Sequence, residues 1–177
     1  LSRPWDSHCL QRLVRRPPAA ADEVRRNPSL GATGPSLDLR AALEGVDADV
    51  NLAGAGVAEK RWDDRWKRAI IDSRVAATTC LATAIAETQD PPRAFVSASA
   101  SGYYGDTGPE AVEEDAPAGS TFLARVCQAW EQAAAPAREV GVRVAHPRTG
   151  LVLAPGQSVS VAFEIAEQTA AGMDAAH

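Results

Sequence analysis

The sequence predicts an α/β fold, a parallel sheet with helices across its faces, and two observations carry that reading. Strand-like and helix-like segments alternate along the chain. Strands separated by helices of this length need crossover connections, which leave neighbouring strands parallel. The predicted strands also end in unusually small or polar residues: Ala53-Gly54-Ala55-Gly56, Ser97-Ala98-Ser99-Ala100-Ser101-Gly102 and Arg148-Thr149-Gly150. Open parallel sheets take their ligands at those carboxyl ends. With 177 residues the chain is the size of one compact domain or part of a larger one.

The elements follow in order. Residues 10–14 alternate as a short strand, stopped by Arg15-Arg16-Pro17-Pro18, because two prolines forbid continuation. Residues 19–36 hold Pro28, Gly31, Gly34 and Pro35 and read as loop. Asp38 is expected to cap a short helix through Leu39, Ala42 and Leu43, closed by Gly45. A strand over 47–52 runs into the Ala53–Gly56 glycine loop. The next helix, about 63–88, repeats Ile71, Val75, Ala82 and Ala86 on one face. A strand over 93–97 leads to a long Gly-, Pro- and acid-rich loop over 100–120. Ser120 or Thr121 then caps a helix over 121–139 that carries Phe122, Val126, Ala129, Trp130 and Ala133 on one face. A last strand covers 142–146. Strands 10–14, 47–52, 93–98 and 142–146 are expected in one sheet.

Composition narrows the function. Eighteen basic against 23 acidic residues give a net charge of −5, which argues against a dedicated nucleic-acid binder. No apolar run reaches the roughly 20 residues of a membrane span, and Leu1–Asp6 lack a secretory apolar core. Cys9, Cys80 and Cys127 are too scattered for a disulfide framework or a zinc site, so a reducing, cytoplasmic setting is expected. Cys127, among apolar neighbours, reads as packing. His8, His146 and His177 lack metal-ligand spacing. The acidic loop of Asp106, Glu110, Glu113, Glu114 and Asp115 reads as solvated. Only Lys60 and Lys67 are lysines, so any mechanism that needs one has two candidates.

Several ordered motifs resemble one branch of the extended short-chain dehydrogenase/reductase superfamily, the atypical NAD-dependent epimerase/dehydratase proteins. They are Asn51-Leu52-Ala53-Gly54-Ala55-Gly56-Val57, Asp72-Ser73-Arg74-Val75, the Ser97–Gly105 string, Phe122-Leu123-Ala124 with Trp130-Glu131, and Arg148-Thr149-Gly150-Leu151-Val152-Leu153. The likeness spans about residues 8–156. It implies a Rossmann-like doubly wound parallel sheet that binds NAD or NADP and takes a small-molecule substrate. Arg15 and Arg16 fall where a relative contacts the adenosine ribose, and arginine there suits a 2′-phosphate and hence NADP. Leu52, Ala53, Gly54, Arg74 and Ser97 fall on the cofactor side, and Ser99 matches a serine that polarises a substrate carbonyl.

The chain also departs from that pattern. The family's Tyr-x-x-x-Lys pair, in which lysine helps the phenol exchange a proton, is absent. Leu123 and Cys127 stand at about those positions, leaving Tyr103 or Tyr104 as substitutes. The phosphate-binding glycine turn is expected about 20 residues before the ribose-contacting position, ahead of Leu1. Gly31-Ala32-Thr33-Gly34 does not follow a strand and is rejected as that turn. The expectation is therefore an incomplete Rossmann-like unit over 1–156, lacking its first strand, followed by a divergent tail over 157–177. The function expected is an NAD(P)-dependent oxidoreductase or epimerase acting on a small hydroxyl or carbonyl compound. The alternatives are a non-catalytic NAD(P)-binding or regulatory protein, or an inactive truncated fragment.

Overall fold

A computed structural model describes Arg12–Val14, Glu23–Arg25, 37–109 and 111–150. The elements are β1 (Arg12–Val14), β2 (Glu23–Arg25), α1 (Leu37–Leu43), β3 (Ala48–Asn51), α2 (Asp64–Glu87), β4 (Ala94–Ser97) and β5 (Ser99–Ala100). A 3₁₀ turn (Ser101–Tyr104) follows, then α3 (Phe122–Gln132), α4 (Ala135–Glu139), β6 (Arg143–Ala145) and β7 (Arg148–Thr149).

Among the described residues every strand pairing is parallel, and for β3–β4 and β4–β6 the alternation predicts it. The order β3-β4-β6 makes a three-stranded sheet. β5 and β7 carry the β4–β6 pairing onward in one register, because Ala94 faces Arg143 and Ser99 faces Arg148, 49 positions apart in both cases. The break between them has a chemical cause. In this register the Ser97 carbonyl would accept from the N–H of residue 147, which is proline and has none. Nδ1 of His146 sits 3.1 Å from that carbonyl and donates instead. The ladder resumes where the Ser99 N–H meets the Pro147 carbonyl at 3.0 Å.

Several expectations need correction. β1 pairs with β2, inside the 19–36 stretch read as loop, and not with the three-stranded sheet. The doubly wound order puts a further strand between these two groups, and among the described residues none pairs with both. Asp38 lies inside α1 rather than capping it, although Gly45 does close the helix region at φ +69°.

Helix α2 begins as expected, with the Asp63 side chain accepting from the Trp66 N–H. Its buried face is only partly the expected one: Ala82 is enclosed as expected, together with Ile70, Ala77, Thr78, Leu81, Ala84 and Ile85, whereas Ile71, Val75 and Ala86 are half-buried. Alanine on every side leaves its period too weak to fix a face. This helix is long and apolar enough to cross a membrane by length and composition, yet it lies in the core. The expected 121–139 helix is two, since Pro136 lacks the N–H that continuation requires and instead sits in the first turn of α4.

One core joins Leu39 and Leu43 of α1, Leu81 and Ile85 of α2, Ala137 of α4, and Phe95 of the sheet. Phe95 is wholly enclosed, a burial that contributes about 2–3 kcal/mol. A second cluster gathers Ile70, Phe122 and Val126 beneath Trp62 and Trp66. Among the described residues β3 forms one edge of its sheet, and Val50 on it and Leu52 just past its end are 59% and 74% exposed.

Candidate active site

Because β3 and β4 are parallel neighbours, with Asn51 opposite Ser97, the loops that follow them leave the same end of the sheet. The first is anchored by Asn51, whose Nδ2 donates to Thr78 Oγ1 at 2.8 Å while its Oδ1 accepts from the Ala53 N–H at 3.1 Å. Thr78 Oγ1 also accepts from Trp130 Nε1 at 3.0 Å, tying α2 to α3. Beyond Asn51 the glycine loop is held through its own backbone. The Ala55 N–H donates to Ser73 Oγ at 3.0 Å, the Gly56 N–H donates to Glu59 Oε1 at 3.1 Å, and Arg74 Nη1 donates to the Ala55 carbonyl at 3.0 Å. The Arg74 guanidinium also lies 5.0 Å from the Trp130 ring centre. Burial lowers its pKa, but a guanidinium stays charged. Gly54 lets Arg74 approach this closely, because a Cβ would lie 3.0 Å from Arg74 Cζ.

The second loop is held by side chains. Ser99 is 2% exposed, and its hydroxyl donates to Glu131 Oε1 at 2.7 Å. Glu131 receives Arg148 as a fork, Nε on Oε1 at 2.9 Å and Nη2 on Oε2 at 3.0 Å, the bidentate geometry that makes such pairs strong. Arg148 Nη1 then donates to the Tyr104 hydroxyl and to the Glu114 carbonyl, both at 2.8 Å. The guanidinium lies over the Tyr103 ring at 3.4 Å, and the two tyrosine rings meet edge to face. Burial alone would raise the Glu131 pKa, but the hydrogen bonds from Arg148 and Ser99 outweigh it and the net shift is downward. Glu131 is therefore ionised at neutral pH. Burial lowers the His146 pKa, so the ring is neutral, with Nδ1 donating to Ser97 and Nε2 accepting from Arg138 at 3.3 Å. An open cleft of about 470 Å³ lies alongside, lined by Tyr104, Val112, Glu114, Glu131, His146 and Arg148.

Leu52, Ala53, Gly54 and Arg74 thus sit together on one loop and its helix, and Ser99, Tyr103 and Tyr104 sit on the neighbouring one. Ser97 is fully enclosed with its hydroxyl unpartnered. Arg15 and Arg16 lie outside the described residues. Leu123 packs where a Cβ on Gly102 would touch it at 3.3 Å. The Cys127 thiol reaches the Ala100 carbonyl at 3.7 Å, and burial raises its pKa, which agrees with a packing role. Among the described residues no three His, Cys, Asp or Glu side chains gather as a metal site. Sequence reasoning gave no role to Glu131, Arg148 or His146. The available signal was Glu131 itself, one turn beyond Cys127 on an apolar helix face where an acid needs a partner.

The model of the NAD dependent epimerase/dehydratase family matches residues 1–174. An epimerase family protein of Mycobacterium bovis, Mb2239, is 42% identical over 148 residues, covering 84% of this chain and 47% of the relative. The human epimerase family protein SDR39U1, solved with NADPH, superposes with a TM-score of 0.70 at 26% identity, over 89% of this chain and 50% of that one. A nucleoside-diphosphate sugar epimerase from Corynebacterium glutamicum gives a TM-score of 0.66 at 39% identity, over 81% of this chain and 28% of that one. The chain spans about half the length of the curated relatives it matches.

Proposed function

This chain belongs to the NAD-dependent epimerase/dehydratase family, and from that premise we propose that it is the nucleotide-binding part of an NAD(P)-dependent oxidoreductase or epimerase acting on a small hydroxyl or carbonyl substrate. One observation carries the reading. Two loops leave the same end of adjacent parallel strands: one is flat and small, and the other bears hydroxyl and phenol groups. Leu52, Ala53 and Gly54 suit the adenine–ribose portion of the cofactor. They let a flat ligand approach the backbone, and Arg74 closes the side away from it. Ser97, enclosed at the end of its strand, backs the cofactor side from within rather than touching the ligand, and Arg15 and Arg16 favour the 2′-phosphate of NADP. Residues 1–156 are assigned to this unit and 157–177 to the start of a second.

The nicotinamide, when bound, supplies hydride chemistry. This chain's own residues hold the substrate oxygen and exchange its proton, from among Ser99, Tyr103 and Tyr104. The names of relatives, an epimerase of nucleoside-diphosphate sugars and a protein solved with NADPH, favour a sugar-like hydroxyl and NADP. A second reading, a non-catalytic NAD(P)-binding protein, draws support from Leu123 and Cys127, which occupy the places of the family's tyrosine and lysine.

Calorimetric titration tests the reading. Residues 1–177 are expected to bind NADPH weakly, because pyrophosphate is held by a glycine turn at a helix N-terminus. Joining a strand and Gly-x-x-Gly-x-x-Gly turn ahead of Leu1 should bring NADPH binding up, with NADH weaker. An extended chain that binds neither nucleotide would refute the proposal.

A further inference from the structure

Within the functional reading above, on which this step rests, we propose that Tyr104 is the proton donor to the substrate oxygen and that Arg148, clamped by Glu131, is the residue that positions it. Ser99 is the obvious alternative, but its proton is committed. The hydroxyl donates to an ionised carboxylate at 2.7 Å, and only 2% of the residue is exposed. Ser99 instead steadies Glu131, and Glu131 steadies Arg148.

The guanidinium is fixed from several sides: both Glu131 oxygens, the Glu114 carbonyl and the Tyr103 ring below. Its Nη1 is a donor, so the Tyr104 oxygen must be the acceptor in the 2.8 Å contact. That assignment leaves the Tyr104 proton free for a ligand in the cleft that Tyr104 lines. When a bound carbonyl carbon gains hydride from a reduced nicotinamide, the Tyr104 O–H bond breaks and the proton joins the carbonyl oxygen. The phenolate so formed stands beside a cation that is already hydrogen-bonded to it. In the reverse direction the phenolate takes the hydroxyl proton.

The cation thus comes from β7 rather than from the helix, where Cys127 stands in place of a lysine. Because Glu131 balances the Arg148 charge and Glu114 lies beside it, the cleft suits a neutral hydroxyl or carbonyl oxygen rather than a carboxylate or phosphate.

The chain has two tyrosines, so Tyr103→Phe leaves Tyr104 as the single phenol and keeps the ring under Arg148. In that protein the ultraviolet resonance Raman doublet of tyrosine reports whether the phenol oxygen accepts a hydrogen bond. The acceptor signature is expected in Y103F, retained with Arg148→Lys and lost with Arg148→Gln. It is expected to weaken with Glu131→Gln. Circular dichroism confirms that each variant is folded, and R148K serves as the conservative control should R148Q not fold. NADPH-dependent reduction of a small 1,2-diketone probe by the extended protein is expected to fall at least tenfold in kcat for Tyr104→Phe and R148Q. Ser99→Ala is expected to lose less.

A Raman doublet that R148Q leaves unchanged overturns the proposal. So does Y104F turnover equal to that of the unsubstituted protein. If the Raman signature follows Arg148 but no nucleotide binds, the functional reading fails while the Arg148–Tyr104 contact stands.

Discussion

The two loops at the end of the sheet are built on opposite plans. After β3 the chain is small and featureless, and its shape is imposed from outside: Ser73, Arg74 and Glu59 reach in to its backbone N–H and carbonyl groups. After β5 the backbone is a single 3₁₀ turn, and four side chains from three elements and that turn, Ser99, Glu131, Arg148 and Tyr104, build the site among themselves. A surface made of backbone suits a flat ligand recognised by shape. A surface made of paired charges suits proton traffic, because it presents hydrogen-bonding groups that need no reorganisation when charge develops.

The comparison can be broken most severely on the side-chain plan. Glu131→Ala removes the partner of a guanidinium in a pair whose side chains are only 18% and 15% exposed. Because it also frees Ser99 and loosens Tyr104, a loss of about 3 kcal/mol in urea unfolding is expected. Its sign with pH is fixed by the lowered Glu131 pKa. The clamp's contribution is full above the carboxylate's unfolded value and drains away as pH falls through the folded value.

Thr78→Val comes next, with an expected loss of about 2 kcal/mol. Thr78 is wholly buried and accepts from both Asn51 and Trp130, so valine leaves two enclosed donors without an acceptor. A loss under about 0.5 kcal/mol, the low end for a single hydrogen bond, would mean that the β3 loop does not depend on that anchor.

Asp49 gives the opposite pH sign. Burial raises its pKa to about 6, and its Oδ2 is enclosed without a partner. Protons are held by the folded state here, so stability falls as pH rises from about 4 to 6 and is level above that. Asp49→Asn should therefore stabilise the protein at pH 7 by about 1–2 kcal/mol, a discounted share of the roughly 3 kcal/mol that two pKa steps represent. At pH 4 it should make little difference. Thermal melts at both pH values check this, and equal shifts at the two would contradict it.

Gly54→Ala is the mildest change. The added methyl meets the flexible Arg74 side chain at 3.0 Å, which can yield. A stability cost of about 1 kcal/mol is expected, with a larger loss of nucleotide binding by the extended protein. Equal NADPH affinity in G54A would move the cofactor surface off this loop.

The backbone-built half was legible in advance. Gly54, Ala55 and Gly56 are small whatever their surroundings, and a strand ending in such residues suggests close approach without any knowledge of the fold. The start of α2 near residue 63 and a cap for α3 at Ser120 or Thr121 were equally local, since capping is decided within four residues. The buried face of α2 was not, because an alanine-rich helix is apolar all round and only its neighbours decide which side turns inward.

By itself, the sequence determined that the strands of the three-stranded sheet are parallel, where α2 and α3 start, and that the strand ends are small or polar, because each depends on short stretches of chain or on connection length. Only the tertiary structure decided how the chemistry is shared out. Ser99, Glu131, Arg148 and Tyr104 come from positions up to 49 residues apart, and no local rule links them. Pro147 shows the same limit. Its missing N–H could be read from the sequence, but only the parallel register reveals that Ser97 lost its donor and that His146 replaced it. Periodicity and capping act along the chain, whereas hydrogen-bond partners are chosen across it.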